Sequence, residues 1–201
     1  MTELKKAFVD GLYCYKKNHP KEWEKKYRIA THRVLSSAFF YISGKTTFKN
    51  NNKMTAIAYY YALYHLSKGL LILLPKYSVE SLRNMNHTKT SNSMQSDFVQ
   101  RKMLSEDFVL TLDYLKQIRE QANYSMGSWI ELHEILEKQE PKVKKWICKG
   151  LGLLKEICAD ELSNIMALIG DGIGDDWMDS YISREEERAV IDFLLENRIT
   201  T

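Results

Sequence analysis

One segment, residues 54–74, constrains the fold more than any other part of the chain. Four of its apolar or aromatic side chains recur at positions i, i+3, i+4 and i+7, the spacing of one helix face; they are Ile57, Tyr60, Tyr61 and Tyr64. The last turn is almost wholly apolar, and Pro75 then ends the segment, because proline has no backbone N–H and disfavours helix at the preceding residue. The pattern predicts a long, central helix.

The rest of the chain also favours helices, since 9 Gly and 3 Pro are too few for many strands and tight turns. Apolar spacing and helix-start signals predict further helices at 21–42, 97–103, 107–126, 129–136, 141–169 and 183–197. We expect Ser43 and Gly44 to end the first of these, and Pro141 to lie in a first turn. Residues 76–92 are polar and predict an exposed connection. No segment indicates a strand, so we expect an all-α fold.

Composition narrows the environment of the chain. The N-terminus mixes charges without an apolar run, which argues against a signal peptide, and the most apolar stretch, 69–75, is too short to cross a bilayer. Three cysteines, Cys14, Cys148 and Cys158, show no paired CxxC spacing, which argues against disulfides and a zinc site. We therefore expect a cytoplasmic protein with free thiols and with neither a metal nor a cofactor, and no contact with a membrane.

Charge is distributed unevenly along the chain. Residues 1–75 hold 13 Lys or Arg against 4 acids, whereas residues 76–201 hold 16 against 22. No acid occurs between residues 34 and 75. A basic surface attracts nucleic acid, because neutralised phosphates release counterions, although a solvated basic face without a partner fits the same counts. The charge distribution permits RNA as a partner and does not establish it.

Two motifs resemble those of HEPN domains. Residues 59–71 read YYYALYHLSKGLL, similar to the HEPN signature helix, in which a YYA-aromatic-H segment precedes a small or apolar face. Residues 115–124 read LKQIREQANY, similar to the end of the last core helix in HEPN domains that pair with nucleotidyltransferases. The resemblance covers 54–126 and implies a HEPN-like up-and-down helical bundle. We expect residues 1–126 to form that bundle with a basic N-terminal helix, and residues 127–201 to add C-terminal helices on the same core.

The resemblance also implies candidate catalytic residues. Active HEPN ribonucleases carry an arginine with a histidine four to six positions later, and two copies form a metal-independent site that leaves cyclic phosphate ends. Arg119 matches the arginine and has no histidine at that distance; Tyr124 stands there instead. Asn123 shares a helix face with Arg119, while Tyr124 is offset by a further ~100°. Arg119, Asn123 and Tyr124 are the candidate catalytic residues, and an arginine paired with an acid such as Asp113 is the alternative for Arg119.

Three further residues are candidates for substrate binding: Lys68, His65 and His87. His65 follows Tyr61 by one helical turn, so a hydrogen-bonded core histidine is the favoured interpretation over a groove residue. His87 lies in the polar connection, where an exposed loop residue is favoured. We expect the tyrosines at 59, 60, 61 and 64 to be mostly core, with one or two reaching solvent.

Three functions remain open from the sequence. The first is a metal-independent toxin or defence endoribonuclease that acts as a homodimer on RNA. The second is a non-catalytic HEPN module that binds nucleotide, RNA or a nucleotidyltransferase antitoxin. The third is a structural helical protein whose motif match is coincidental.

Overall fold

The structure is a computed structural model that describes residues 3–124, 129–158, 192, 193 and 196. Within these residues it contains helices and no strand, which confirms the all-α prediction. The helices are α1 (Glu3–Asn18), α2 (Pro20–Thr47), α3 (Asn52–Ile72), α4 (Val79–Arg83), α5 (His87–Met94), α6 (Glu106–Tyr124) and α7 (Trp129–Ile157). A π-helical turn, Gln95–Val99, directly follows α5.

Helix α3 lies at the centre of the fold, as the sequence predicts. It contacts α2, α4, α5, α6 and α7, and every residue from 66 to 74 is buried. A helix that is apolar on all sides is buried within a protein, because no face of it can meet water favourably. The Asn51 side chain caps its N-terminus by accepting a hydrogen bond from the Met54 N–H.

A buried lysine binds the carbonyl groups of the turn that follows α3. Lys26 of α2 is 2% exposed, and its Nζ donates hydrogen bonds to the carbonyl oxygens of Leu74, at 2.8 Å, and Tyr77, at 2.7 Å. Its positive charge also complements the negative end of the helix dipole. Burial lowers the pKa of Lys26, and Glu22 opposes that shift. The contact joins α2 to the end of the central helix.

Glycines let α3 approach its neighbours closely. A Cβ atom added at Gly44 of α2 would lie 2.6 Å from the ring of Tyr59, and one added at Gly150 of α7 would lie 2.6 Å from Leu66. Such separations are shorter than van der Waals contact, so a side chain at either position requires a neighbour to move. Both crossings of α3, with α2 and with α7, therefore need a residue without a side chain.

The predicted end of α2 is wrong. The helix continues through Ser43 and Gly44 to Thr47. Gly44 does not terminate the helix; it is buried where α2 crosses α3. A glycine that ends a helix and a glycine that lets a second helix approach closely look alike in the local sequence. Only the packing distinguishes them.

The predicted start of a helix at Pro141 is also wrong. Pro141 lies inside α7, which joins the separately predicted segments 129–136 and 141–169 as far as Ile157. Proline removes one backbone hydrogen bond from a helix. The buried face of α7 nevertheless continues past Pro141, from Leu136 to Val143 and Trp146. The packing of this face on the core offsets the missing hydrogen bond.

The connection at 76–92 is more ordered than its polarity suggests. It contains α4 and α5, and a buried carboxylate ties it to the π-helical turn. Asp97 is buried and accepts hydrogen bonds from Lys76 Nζ, at 2.6 Å, and from the Tyr77 hydroxyl, at 2.7 Å. The predicted short helix at 97–103 corresponds to this turn, and α1 is a helix that we did not predict.

Other predictions lie wholly or partly outside the described residues. They concern the helix at 183–197, of which residues 192, 193 and 196 are described, the continuation of α7 toward 169, and the last residues of the helix predicted at 107–126. The described part of the C-terminal extension, α7, packs against α2 and α3. The division at residue 126 stays a prediction.

Two glycines of α7 provide a matched test of this packing. We expect Gly150→Ala to lower the free energy of unfolding by about 1–3 kcal/mol, because Leu66 is fully buried and has little room to move. We expect Gly152→Ala, where a Cβ meets nothing within 4 Å, to raise it by roughly 0.5–1 kcal/mol through helix propensity. Urea denaturation of both variants measures the difference, and equal stabilisation by the two would contradict the close crossing of α3 and α7.

Candidate functional site

Three tyrosines of α3 form an aromatic surface on the central helix. Tyr60 is buried, whereas Tyr61 and Tyr64 are half-buried. The centroid of the Tyr60 ring lies 5.2 Å from that of Tyr61 and 5.7 Å from that of Tyr64. The fourth tyrosine of the motif, Tyr59, is buried. This division between core and partly exposed rings agrees with the prediction from sequence.

Arg119 of α6 lies over these rings. Its Cζ is 4.6 Å from the centroid of Tyr60 and 5.9 Å from that of Tyr61, so the guanidinium makes cation–π contacts with both. The side chain is 14% exposed, and its Nη2 donates to Glu120 at 3.3 Å. Within the described part of the chain its buried Nε has no hydrogen-bond partner. Arg119 is therefore held in place by aromatic packing, with donor capacity to spare.

His87 and Lys68 lie against the same tyrosines. The Tyr60 hydroxyl is hydrogen-bonded to Nδ1 of His87, and the His87 ring is 4.6 Å from that of Tyr64. The buried Lys68 places its Nζ 4.8 Å from the Tyr64 centroid. His87 is the first residue of α5 and is half-buried, so the favoured prediction of an exposed loop residue is wrong. The polar segment folds back onto α3, which its local sequence does not reveal.

His65 lies beside Tyr61 and Tyr64, with its ring centroid 6.2 Å and 6.3 Å from theirs. Its Nδ1 is 3.0 Å from Nη1 of Arg33, and its ring stacks on Phe40 at 5.1 Å. An arginine can only donate, so His65 accepts this hydrogen bond at Nδ1 in its neutral form. The hydrogen-bonded histidine favoured by the sequence is thus observed, with a partner from α2. We call these residues together the cation–tyrosine cluster: Arg33, Tyr60, Tyr61, Tyr64, His65, Lys68, His87 and Arg119.

The cluster is electrostatically positive. Burial, followed by the charges of Arg33 and Lys68, lowers the pKa of His65 from its ordinary 6.5 to about 4. Burial also lowers the pKa of His87, with further contributions from Arg119, Lys116 and Lys68, while Glu120 opposes them. Both histidines are therefore neutral at pH 7. Anions, and phosphate groups in particular, are attracted to such a surface.

Four of the six residues predicted to form a site are brought together here: Lys68, His65, His87 and Arg119. Asn123 is exposed on α6, one turn beyond Arg119, and the Tyr124 side chain lies outside the described residues. Arg33 and the three tyrosines were not predicted as site residues. The tyrosines were assigned to the core, and Arg33 carries no motif that connects it with residues more than thirty positions away.

The described residues contain no group of three or more His, Cys, Asp or Glu side chains arranged to hold a metal ion. Across the same ranges, every helix is either too short or too polar for a membrane span. No protein-family model, curated protein or solved structure matches the chain. Fold and site therefore define it by class: an all-α protein with a positively charged tyrosine cluster on its central helix.

The buried His65 should make stability depend on pH. Because its pKa is lower in the folded chain than in the unfolded chain, the unfolded chain binds more protons below pH 6.5, and stability falls as pH drops from 6.5 toward 4. Between pH 7.5 and pH 4.5 this histidine should account for a loss of about 2–3 kcal/mol. Glutamine does not titrate, so the free energy of unfolding of His65→Gln should fall by about 2–3 kcal/mol less than that of the wild type over this interval. Urea denaturation at the two pH values measures the difference.

A second urea series between pH 7.5 and pH 9 supplies the control for this measurement. Because His65 is neutral throughout that interval, the stabilities of the wild type and His65→Gln should change in parallel. An equal pH dependence of the two between pH 7.5 and pH 4.5 would show that His65 is not held neutral by its surroundings.

Proposed function

We propose that this chain binds RNA at the cation–tyrosine cluster, as the HEPN resemblance implies. The observation that supports this most directly is that cations from three different helices line one group of rings: Lys68 of α3 lies over Tyr64, Arg119 of α6 lies over Tyr60, and Arg33 of α2 is hydrogen-bonded to the adjacent His65. Among the described residues, these cations contact one acid, Glu120, which pairs with Arg119. Bringing like charges together costs free energy, which a polyanionic ligand offsets.

The side chains suit single-stranded RNA. Guanidinium groups donate two parallel hydrogen bonds to phosphate oxygens, and lysines contribute as point charges. Tyr61 and Tyr64, both half-buried, expose part of their rings, on which unpaired bases stack. Lys116, one turn before Arg119 on α6 and 31% exposed, extends the positive surface toward solvent. A short stretch of unpaired RNA therefore has partners for both its backbone and its bases.

Binding should respond to charge removal in a defined way. We expect Arg119→Ala and Lys116→Ala each to weaken binding of a fluorescent mixed-sequence RNA by about five- to tenfold at low salt. If a side chain neutralises one phosphate, its removal should also reduce the slope of log K against log salt by about 0.7 for single-stranded RNA. Fluorescence anisotropy over a salt series measures both quantities.

Arg28→Ala is the matched control, because Arg28 is an exposed arginine of α2 that pairs with Glu24 outside the cluster. It should change neither the affinity nor the salt slope beyond a small general effect of charge. Equal weakening by Arg28→Ala and Arg119→Ala would assign RNA binding to the overall basicity of the chain instead of the cluster.

A second candidate function, metal-independent RNA cleavage, is favoured by the position of His87. The sequence has no histidine four to six residues after Arg119, yet His87 shares the Tyr60 side chain with Arg119. The resemblance to HEPN ribonucleases further implies a homodimer with two such sites. A nucleotidyltransferase antitoxin is the partner that it implies for such a ribonuclease.

The chemistry of cleavage follows from these groups. The ribose 2′-hydroxyl attacks the adjacent phosphorus and its proton passes to a base. The bond from phosphorus to the 5′-oxygen breaks as that oxygen takes a proton from water, which leaves a 2′,3′-cyclic phosphate. In the neutral tautomer whose Nδ1–H donates to the Tyr60 hydroxyl oxygen, His87 has Nε2 as a proton acceptor. Arg119 would stabilise the charge that develops on the phosphate oxygens.

RNA incubated with the protein in EDTA tests this second function. We expect cyclic phosphate ends from the wild type and at least a hundredfold slower cleavage by Arg119→Ala and by His87→Ala. Cleavage that persists in Arg119→Ala prepared in the same way would place the nuclease elsewhere. If the wild type does not cleave, the chain acts at this surface by binding alone.

A further inference from the structure

Within the cation–tyrosine cluster, three side chains from α2 and α3 form a group of their own. Arg33 of α2 and His65 of α3 are hydrogen-bonded at 3.0 Å. Lys68 follows His65 by three residues, so the two side chains are neighbours on one face of α3. A Cβ atom added at Gly69 would lie 3.1 Å from the Cβ of Arg33, which places Arg33 beside the turn that carries Lys68. We call Arg33, His65 and Lys68 the donor triad.

Lys68 is the most buried member of the donor triad. It is 7% exposed, and its Nζ lies 4.8 Å from the centroid of the Tyr64 ring. Within the described part of the chain, Lys68 forms neither a hydrogen bond nor an ion pair. Burying an ammonium group beside no carboxylate costs free energy, which a bound anion offsets.

The free N–H groups of the donor triad are donors that solvent reaches. His65 accepts from Arg33 at Nδ1, so the proton of its neutral ring is on Nε2. Arg33 and Lys68 can only donate. Some polar atoms in the described residues are closed to water and lack a partner, and none of these atoms belongs to the donor triad. A ligand at this place therefore meets donors from three side chains.

Among the described residues, no carboxylate offsets the charge of the donor triad. After burial, the charges of Arg33 and Lys68 lower the pKa of His65, and no acid opposes them. Around His87, by contrast, Glu120 opposes the effect of the cations on the pKa and also pairs with Arg119. The donor triad thus holds two positive charges without a carboxylate beside them, which favours an anion of high charge.

We propose that the donor triad binds the terminal phosphate group of an RNA strand. This inference rests on the RNA binding proposed above and names the part of the strand that is recognised. A terminal phosphate carries a charge of about −1.5 to −2 at pH 7 and has three acceptor oxygens. A phosphate between two nucleotides carries a single negative charge and has fewer free oxygens. Two cations and the Nε2–H of His65 match the terminal group better.

The rings beside the donor triad suit the nucleotide that carries this phosphate. Phe40 of α2 is half-buried and stacks on His65 at 5.1 Å, and Tyr61 is half-buried with its ring 6.2 Å from that of His65. Bases stack on aromatic side chains with little regard to sequence. Arg119, whose Cζ is 5.9 Å from the Tyr61 ring, lies where the next phosphate of the strand would follow.

Competition against a fluorescent RNA, measured with the full chain at low salt, tests the proposal. Three unlabelled RNA strands of one short, unpaired sequence are compared: one with a 5′-phosphate, one with a 3′-phosphate and one with hydroxyl groups at both ends. We expect one phosphorylated strand to bind about tenfold more tightly than the hydroxyl strand. The strand that binds more tightly identifies the end that is recognised.

Two variants assign this preference to the donor triad. Lys68→Met keeps the volume of the buried stem without its charge, and Arg33→Gln keeps a donor for His65 without the charge. We expect each to reduce the preference for the phosphorylated strand to about twofold or less. Lys138→Met, at an exposed lysine of α7, is the matched control and should keep the preference. Arg119→Ala should weaken all three strands by a similar factor and keep it as well.

The outcomes separate this inference from the proposed function. Lys68→Met should unfold at a temperature no lower than the wild type, because it removes a buried ammonium group without a partner; Arg33→Gln serves if the methionine variant does not fold. Equal binding of the three strands, or a preference that persists in both variants, would overturn the inference and leave RNA binding intact. If no strand binds, the proposed function fails and this inference fails with it.

Discussion

The C-terminal part of α3 is buried on every side, and this places two demands on the chain. Its neighbours must approach closely, which glycines at Gly44 and Gly150 permit. The carbonyl groups of the turn that follows it must also find donors, and Lys26 provides these from α2. The two glycines and Lys26 thus hold α2 and α7 against α3. Helix α6 covers a further side of α3.

The cation–tyrosine cluster is a consequence of the same arrangement. Tyr61 and Tyr64 stay half-buried on α3, and α2, α5 and α6 each contribute a polar side chain to the cluster around them. The cluster therefore needs no dedicated loop. Tyr60 joins the cluster to the core, because it is buried in the core and also contacts Arg119 and His87.

Sequence patterns predicted elements whose periodicity is strong and failed where tertiary packing overrides a local signal. The helices α3 and α6 were placed to within about two residues, since each carries a continuous apolar stripe. Gly44 and Pro141 were wrongly predicted as helix boundaries. Both lie inside helices that continue because they pack on the core, and the local sequence does not show that packing. The contacts of His87 with Tyr60 and of Arg33 with His65 join segments that lie far apart in the chain, so no local pattern encodes them.

Lys26 has a consequence for how sequences of this kind are compared. A lysine in a basic segment is readily counted among the residues that recruit an anionic ligand, yet this one is committed to the end of a helix and is 2% exposed. Arginine, with its larger planar head group, is a poor replacement in so confined a place. Selection on the fold alone would then conserve lysine at this position. Its conservation among relatives would look like that of a binding residue.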